Sequence, residues 1–528
     1  MKDRVSLTDF LMYHKETHPI SFHMPGHKGR STLYGIYGFG DFVKNVVGND
    51  ITEIPGADAL QQPRERIKDI MEGYAGLYGA KHTELLVNGS SAGLMASILG
   101  SVPRGGKLLM GRNSHKSVYG ALRLGGIDPV YIMPEIDGGE TGLQLGLDPD
   151  KIEAALIEDG DIKAVLVTSP NYYGVLSDIE RIASIVHLHG RILIVDQAHG
   201  AHLKFFDYLR SEDGLPHRAA ENCGADIVVD STHKTLLSFT GSAILNICTE
   251  RPDVSRISEL LRMLQTTSPS YLLMGSLDIN QQILRMDGYN LIKNWDADIK
   301  YFYEEAAQIA GLGLIDRIDL DETKVSITMS ALGLSGPELA EELEKRNIWV
   351  ELTHGDYVML MTGIGNERGD YEDVLSALRD LSAHHGGRIQ GVEPESSASK
   401  TESAAQEAVQ KQAKNEAQAA NKNASQPVDK ITELRTPSSD SALIERLEQR
   451  RIPDTYEEIP LYSAEGRVLY ESIIPYPPGT PIACPGEVLS KSVILYVRDQ
   501  LVAQHVVLGV DEEGRVKVES DCVLFKEI

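Results

Sequence analysis

The sequence predicts an α/β protein built on a mostly parallel sheet, with smaller α/β lobes toward the C-terminus. Three observations carry this. From about residue 65 to 250, short apolar runs alternate with helical stretches, the signature of βαβ units. The runs are apolar throughout rather than alternating, as strands covered on both faces are. Beyond residue 308 the same mixture returns on a smaller scale, which marks a second lobe.

Residues 1–60 read as an N-terminal arm, polar and punctuated by turn signals at Pro25-Gly26 and Pro55-Gly56. In the large domain, 61–308, strands are expected at Glu84–Val87, Lys107–Met110, Ala164–Thr168, Ile192–Val195 and Ile227–Val229, with residues 252–308 mostly helical. The small domain, 309–392, is expected to hold strands Val325–Met329, Trp349–Leu352 and Val358–Met361 and a helix Ser335–Arg346. Residues 393–430 lack aromatic residues and are dominated by Ala, Gln, Ser, Glu and Lys. Such a composition buries too little apolar surface to offset ordering entropy and reads as a disordered linker. A last domain, 431–528, is expected to open with a helix near Ser441–Arg450 and to carry strands at Ser492–Arg498 and Val516–Ser520.

With 528 residues the chain is too long for one core. A formal net charge of −26 repels nucleic acid and anionic membranes, and excludes both as partners. Its four cysteines are far apart, which indicates neither a zinc site nor a disulfide framework. Without a signal-like or spanning apolar run, a cytoplasmic protein is the default.

Three strand ends deliver polar residues, and chemistry in such sheets sits at the carboxyl ends of the strands. After Leu85-Leu86-Val87 come Asn88-Gly89-Ser90-Ser91 and a helix start, a place that suits a phosphate; an ordinary helix cap is the competing reading. Asp196 ends the run Ile192–Val195, where a carboxylate could hydrogen-bond the pyridine nitrogen of pyridoxal 5′-phosphate (PLP) and keep it protonated. A metal ligand, a ribose contact or a cap are its alternatives. Lys234 follows Asp230-Ser231-Thr232-His233 at the third strand end, placed for a Schiff base in a partly desolvated turn; a solvated loop lysine is the alternative. His115, after the strand Lys107–Met110, lies at the same edge and could stack on the ring.

These residues bring the chain to a family it resembles, the Orn/Lys/Arg decarboxylases, PLP enzymes of fold type I. The resemblance rests on His23-Met24-Pro25-Gly26-His27-Lys28, Asp50-Ile51-Thr52-Glu53, Ser90-Ser91, Asn113-Ser114-His115-Lys116, Ser169-Pro170-Asn171-Tyr172-Tyr173-Gly174, Asp196-Gln197-Ala198-His199, Ser231-Thr232-His233-Lys234 and Pro477-Pro478-Gly479 with Pro481 and Pro485-Gly486-Glu487. It implies the PLP-dependent transferase-like fold, with Lys234 as Schiff-base lysine, Asp196 on the ring nitrogen and His115 stacked on the ring. It further implies phosphate contacts from Ser90, Ser91 and Ser231, Ala198 beneath the ring and His233 beside it. His199 stands where some larger relatives carry tryptophan. Those relatives also have a response-regulator-like domain before the arm, so the resemblance is to a short form.

The activity implied is decarboxylation of arginine, lysine or ornithine to the amine and CO2, in a homodimer or larger homo-oligomer. A PLP aminotransferase or lyase on the same fold is the alternative, and a non-catalytic binder a third reading, since fold does not fix reaction. The proton returned to Cα is expected from Lys234 or His233. A basic substrate brings a distal cation that needs a partner once water is excluded. Glu487, on a proline-stiffened segment, is one candidate; Asp50 and Glu53 of the arm are its rivals. No metal is expected.

Overall fold

The structure, a computed structural model, describes residues 6–137, 141–386, 447–450, 452–476, 480–502 and 506–520. The expected linker at 393–430 lies outside the described residues, as do residues 441–446 of the helix expected near Ser441–Arg450. The rest of that segment is not helical, and Gln449 instead bridges to Glu487.

The arm is more ordered than its polarity suggests. Ser6 caps a helix Leu7–Glu16, accepting from Asp9 N at 3.1 Å. Strand β1 (Ile20–Phe22) then pairs in parallel with Ile348–Val350 of the small lobe. Three short helices follow, Ser31–Ile36, Gly40–Lys44 and Val46–Asn49.

The large sheet holds β2 (His82–Leu86), β3 (Lys107–Gly111), β4 (Asp128–Ile132), β5 (Ile162–Thr168), β6 (Ile192–Asp196), β7 (Ile227–Asp230) and β8 (Ala243–Ile247). Their spatial order is β2-β8-β7-β6-β5-β3-β4, with β8 antiparallel to both neighbours and every other pairing parallel. All five expected strands are present. The two unexpected ones have physical reasons to hide. Strand β4 is an edge strand, largely half-exposed, and carries Pro129. Strand β8 is fully buried but is reached through only a short helix, Thr232–Thr235, so it breaks the β-helix-β rhythm.

The unbroken apolarity of the strands follows from burial on both faces. Leu108, Met110, Ala164, Leu166, Ile194, Ile227 and Val229 pack on one side with Leu94 and Ile98 of the helix Gly89–Ser101. Leu109, Val165, Val167, Leu193, Val195 and Val228 pack on the other with Ile152, Ile179 and Ile182. At roughly 1.5–3 kcal/mol per fully buried aliphatic side chain, this double layer is the main force fixing the strand ends in register.

In the small lobe, β9 (Gly313–Leu314), β10 (Lys324–Thr328), β11 (Ile348–Val350), β12 (Leu352–His354) and β13 (Tyr357–Met361) appear. β9, β10, β12 and β13 form an antiparallel sheet in the order β12-β13-β10-β9. The helix Gly336–Glu344 starts with a capping box made by Ser335 and Glu338. The single strand expected at Trp349–Leu352 is split in two, with Glu351 at the break.

The last domain contains β14 (Tyr456–Pro460) paired with β17 (Arg515–Glu519), and β15 (Ile474–Tyr476) paired with β16 (Val506–Leu508). One expectation fails here: Ser492–Arg498 is not a strand but lies within a helix, Lys491–Val502. The β-branched run suggests a strand, yet Val493, Val497 and Gln500 are the buried positions, a helical face rather than a pleat.

Candidate active site

Strands β2, β3, β6 and β7 all point their carboxyl ends at one cavity of about 360 Å³. Ser90, Ser91, His115, Asp196, Ala198, Ser231, His233 and Lys234 all line it. The strand ends explain the convergence: four parallel strands held in register by the core bring their following turns to one edge of the sheet.

The turn after β2 starts the helix Gly89–Ser101. Asn88 stands at its N-cap without any side-chain capping hydrogen bond, so neither Ser90 nor Ser91 acts as the ordinary cap. Gly89 adopts a positive φ of 72° and passes its N–H to Gly241 O at 2.9 Å. The next N–H groups are those that a helix leaves without internal acceptors. In the same cavity, the buried Ser231 Oγ has no hydrogen-bond partner among the described residues. Free helix N–H groups and a waiting hydroxyl together suit a phosphate.

Asp196 closes β6, almost fully buried, and accepts one hydrogen bond from Ala198 N at 3.2 Å. Burial pushes its carboxyl up, while Lys234 and the Ala198 N–H pull it down. A protonated ring nitrogen would supply the partner that such a carboxylate lacks. Lys234 sits in the short helix Thr232–Thr235, and burial lowers its ammonium to about 8. That leaves a usable fraction of neutral amine near physiological pH, as a Schiff-base lysine requires. Its Nζ lies 2.9 Å from His199 Nε2.

The histidines are neutral. Burial lowers His115 to about 3 and His233 to about 4, with Lys234 adding to the effect in both. His199 is held well below its ordinary range by burial first and Lys234 second. The Nδ1 of His233 donates to Ser242 O at 2.6 Å, which fixes its tautomer. His115 is oriented by its own helix: its Nδ1 accepts from Ser117 N at 3.2 Å as an N-cap.

Several residues of the site carried no assigned role in the sequence. Met24 and Pro25 of the arm line the cavity, as do Asn113, Tyr172, His199 and Thr480. The arm reaches the cavity because Gly26 lies flat on the lysine turn. Its N–H bonds His233 O at 2.8 Å, and a Cβ there would meet Thr235 C at 2.3 Å. Tyr172 packs its ring edge-on to His199, centroids 4.7 Å apart, and donates to Glu351 Oε1 at 2.8 Å. Glu351 Oε2 accepts from Met24 N at 2.9 Å. Thus the break between β11 and β12 ties arm, small lobe and lysine together. The signal was present in the His23–Lys28 and Ser169–Gly174 motifs, but spacing alone does not join them.

The three acids expected at the substrate's cation are elsewhere. Asp50 and Glu53 are exposed and do not line the cavity. Glu487 does not line it either: it is buried in an ion pair with Arg112, Nη2 to Oε2 at 2.7 Å. The expectation is corrected by a cation from another domain that spacing could not reveal. Among the described residues that line the cavity, Asp196 is the sole carboxylate. Among the described residues no group of three or more His, Cys, Asp or Glu could hold a metal ion, and no helix is long and apolar enough to cross a membrane.

The site therefore fits PLP: Ser90, Ser91 and Ser231 would hold the phosphate, Asp196 the ring nitrogen, and Lys234 the aldehyde carbon. Comparison with known proteins agrees. The major domain of the Orn/Lys/Arg decarboxylases matches residues 5–312 and their C-terminal domain residues 440–509. The chain is 30% identical over 520 residues to an arginine decarboxylase of Bacillus anthracis, covering 95% of this chain and 94% of the relative. It is 23% identical over 550 residues to a lysine decarboxylase of Pseudomonas aeruginosa, covering 90% and 73%. The solved structure of the constitutive lysine decarboxylase of Escherichia coli shares the fold, with a TM-score of 0.67 and 20% identity over 97% of this chain and 81% of that one. The chain belongs to the Orn/Lys/Arg decarboxylase family and is a PLP-dependent amino-acid decarboxylase.

Proposed function

We propose that the protein removes the α-carboxylate of a basic amino acid (arginine, lysine or ornithine), releasing CO2 and the corresponding amine or polyamine. The observation that carries this reading is the joint lining of one cavity by Lys234, Asp196 and an uncapped helix start, in a chain similar over nearly its whole length to arginine decarboxylases.

When bound, PLP supplies an electron sink for the pair left on Cα as CO2 departs. The protein's part is to hold that sink charged and to manage one proton. Asp196, buried and poorly partnered, would keep the ring nitrogen protonated. Ser90, Ser91 and Ser231 would hold the phosphate, with Ala198, His115 and His233 around the ring, and Lys234 would hold the aldehyde carbon in the resting enzyme. Its amine, at about 8 and hydrogen-bonded to His199, then holds a proton at Nζ that it can return to Cα. The proton balance is one taken up for each CO2 released. His233 is neutral with its single N–H committed from Nδ1 to Ser242 O, so its Nε2 can accept but has no proton to give, which favours Lys234 as the donor.

The chain works as a homodimer or larger homo-oligomer in the cytoplasm. The helix Leu7–Glu16 supports the first statement, since it buries none of its residues yet exposes Leu7, Phe10, Leu11, Met12 and Tyr13. The free thiols of Cys223, Cys248 and Cys484 support the second. The test is direct: protein purified with PLP is offered arginine, lysine and ornithine in turn, and CO2 and product amine are measured. A keto acid product without CO2 would overturn the reading in favour of transamination.

A further inference from the structure

Arg112 belongs to the large domain, on the turn after β3, yet most of its guanidinium serves the last domain. Nε donates to Glu487 Oε1 at 3.1 Å and Nη2 to Glu487 Oε2 at 2.7 Å, a forked pair. Nη1 donates to Pro481 O at 2.8 Å and to Tyr119 OH at 3.0 Å, and Nη2 also reaches Ile482 O at 3.3 Å. Glu487 Oε2 accepts in addition from Cys484 N at 2.7 Å, which closes the 484–487 turn on the same carboxylate. Both side chains are 2% exposed. The rings of Tyr119 and Tyr131 lie on the guanidinium at 5.5 Å each.

What makes this pair functional is its neighbours along the chain. Asn113, one residue after Arg112, lines the cavity; so does Thr480, one residue before the Pro481 whose carbonyl Arg112 holds. Two residues of the cavity wall, from domains far apart in sequence, therefore hang from one ion pair. A buried pair of this kind is weak evidence for stability, because desolvation offsets its attraction. Its best-attested use is to fix register.

We infer that Arg112 and Glu487 are positioning residues for the substrate wall, and that Thr480, seated by them in the cavity lining, is a specificity-determining residue for the amino acid. This rests on the basic-amino-acid reading above. It assigns part of the cavity wall to the last domain, and gives Glu487 an indirect role in place of contact with the substrate's cation.

The experiment uses the PLP-loaded enzyme and reads substrate occupancy twice: as KM for CO2 release, and as the amino-acid concentration that half-shifts the visible band of the bound cofactor. Thr480→Val should raise both by roughly three- to tenfold with kcat within about twofold, and Thr480→Ser should restore wild-type values. Glu487→Gln should raise KM by roughly ten- to a hundredfold, the scale of a wall displaced by about 1 Å, with the resting band unchanged. The double variant should lose less than the product of the two single losses, because Glu487→Gln already displaces the Thr480 hydroxyl. Unchanged occupancy in Thr480→Val overturns the inference, as does a double variant whose losses multiply. Should Glu487→Gln fail to fold, the Val and Ser variants still decide the role of Thr480. If wild type shifts its band but releases no CO2, the decarboxylase reading fails while the Thr480 comparison remains readable in the band.

Discussion

The edge made by Asp196, Ser231 and Lys234 and the wall made by Asn113 and Thr480 line the same cavity, but they are assembled differently. The first is the carboxyl edge of one sheet. Each of its polar residues lies within a few positions of the end of an apolar run, and the double-sided core sets the runs in register. The second depends on Arg112 and Glu487, which are 375 positions apart. The lesson is that a site is readable to the extent that its residues are attached to elements with a pattern of their own. It also suggests a division of labour, in which the sheet edge carries the reaction and the wall carries discrimination. Substitutions should then differ in kind as well as in size.

The largest effect belongs to the sheet edge. Lys234→Ala would remove the proposed anchor of the cofactor and the proposed proton carrier together. Turnover should fall by roughly 10³-fold or more, as for other essential covalent residues. Borohydride treatment of the wild type should leave cofactor on the peptide that contains Lys234; label on any other peptide ends the assignment. Next comes Asp196→Asn, which keeps shape but not charge. Some PLP should remain bound while kcat falls by about a hundredfold or more. Near-normal kcat would mean that the ring nitrogen takes its partner elsewhere, and the contrast between edge and wall would lose its basis.

Much of the fold was legible for the same reason that the sheet edge was. Apolar strands buried on both faces leave an unmistakable mark, and Lys234, Asp196 and Ser231 sit one to a few residues beyond them. The segment Ser492–Arg498 suggests a strand because Val493, Ile494 and Val497 are β-branched, yet the buried positions Val493, Val497 and Gln500 follow helical spacing within the helix Lys491–Val502. The arm was read as a plain extension because its strand β1 finds its partner in the small lobe. Glu487 was read as a substrate ligand because proline stiffening shows that a carboxylate is held, but not by what. Glu351 went unread altogether: its role comes from Tyr172 and Met24, which only the folded chain brings to it.

A third prediction concerns pH. Burial holds His115 at about 3 and His233 at about 4, whereas both would titrate near 6.5 in the unfolded chain. Between these values the unfolded state binds more protons than the folded one. The stabilisation is therefore complete above pH 6.5 and is lost as pH falls toward 4. The upper bound is about 5 kcal/mol for His115 and about 3 kcal/mol for His233, less whatever partial exposure to the cavity screens. The urea midpoint should drop between pH 7.5 and pH 5 and should drop less in His233→Gln. Equal loss in both proteins would place the acid sensitivity elsewhere.

The smallest effect should come from His115, and it separates two functions of one side chain. The ring is proposed to stack on the cofactor, while Nδ1 caps the helix Lys116–Gly125 through Ser117 N. These can be divided, because asparagine is a good cap without an aromatic face and phenylalanine is a face without a cap. Stacking of this kind is worth roughly 0.5–1.5 kcal/mol, so His115→Asn should weaken PLP binding by about three- to tenfold. Its thermal stability should stay near that of wild type. His115→Phe should bind PLP nearly normally and lose about 1 kcal/mol of stability, the ordinary cost of a missing cap. Measured together, cofactor dissociation and urea midpoints should cross over between the two variants. If both properties fall in the same variant and neither in the other, the ring does not stack on the cofactor, and His115 belongs with the wall as a residue that only holds its loop in place.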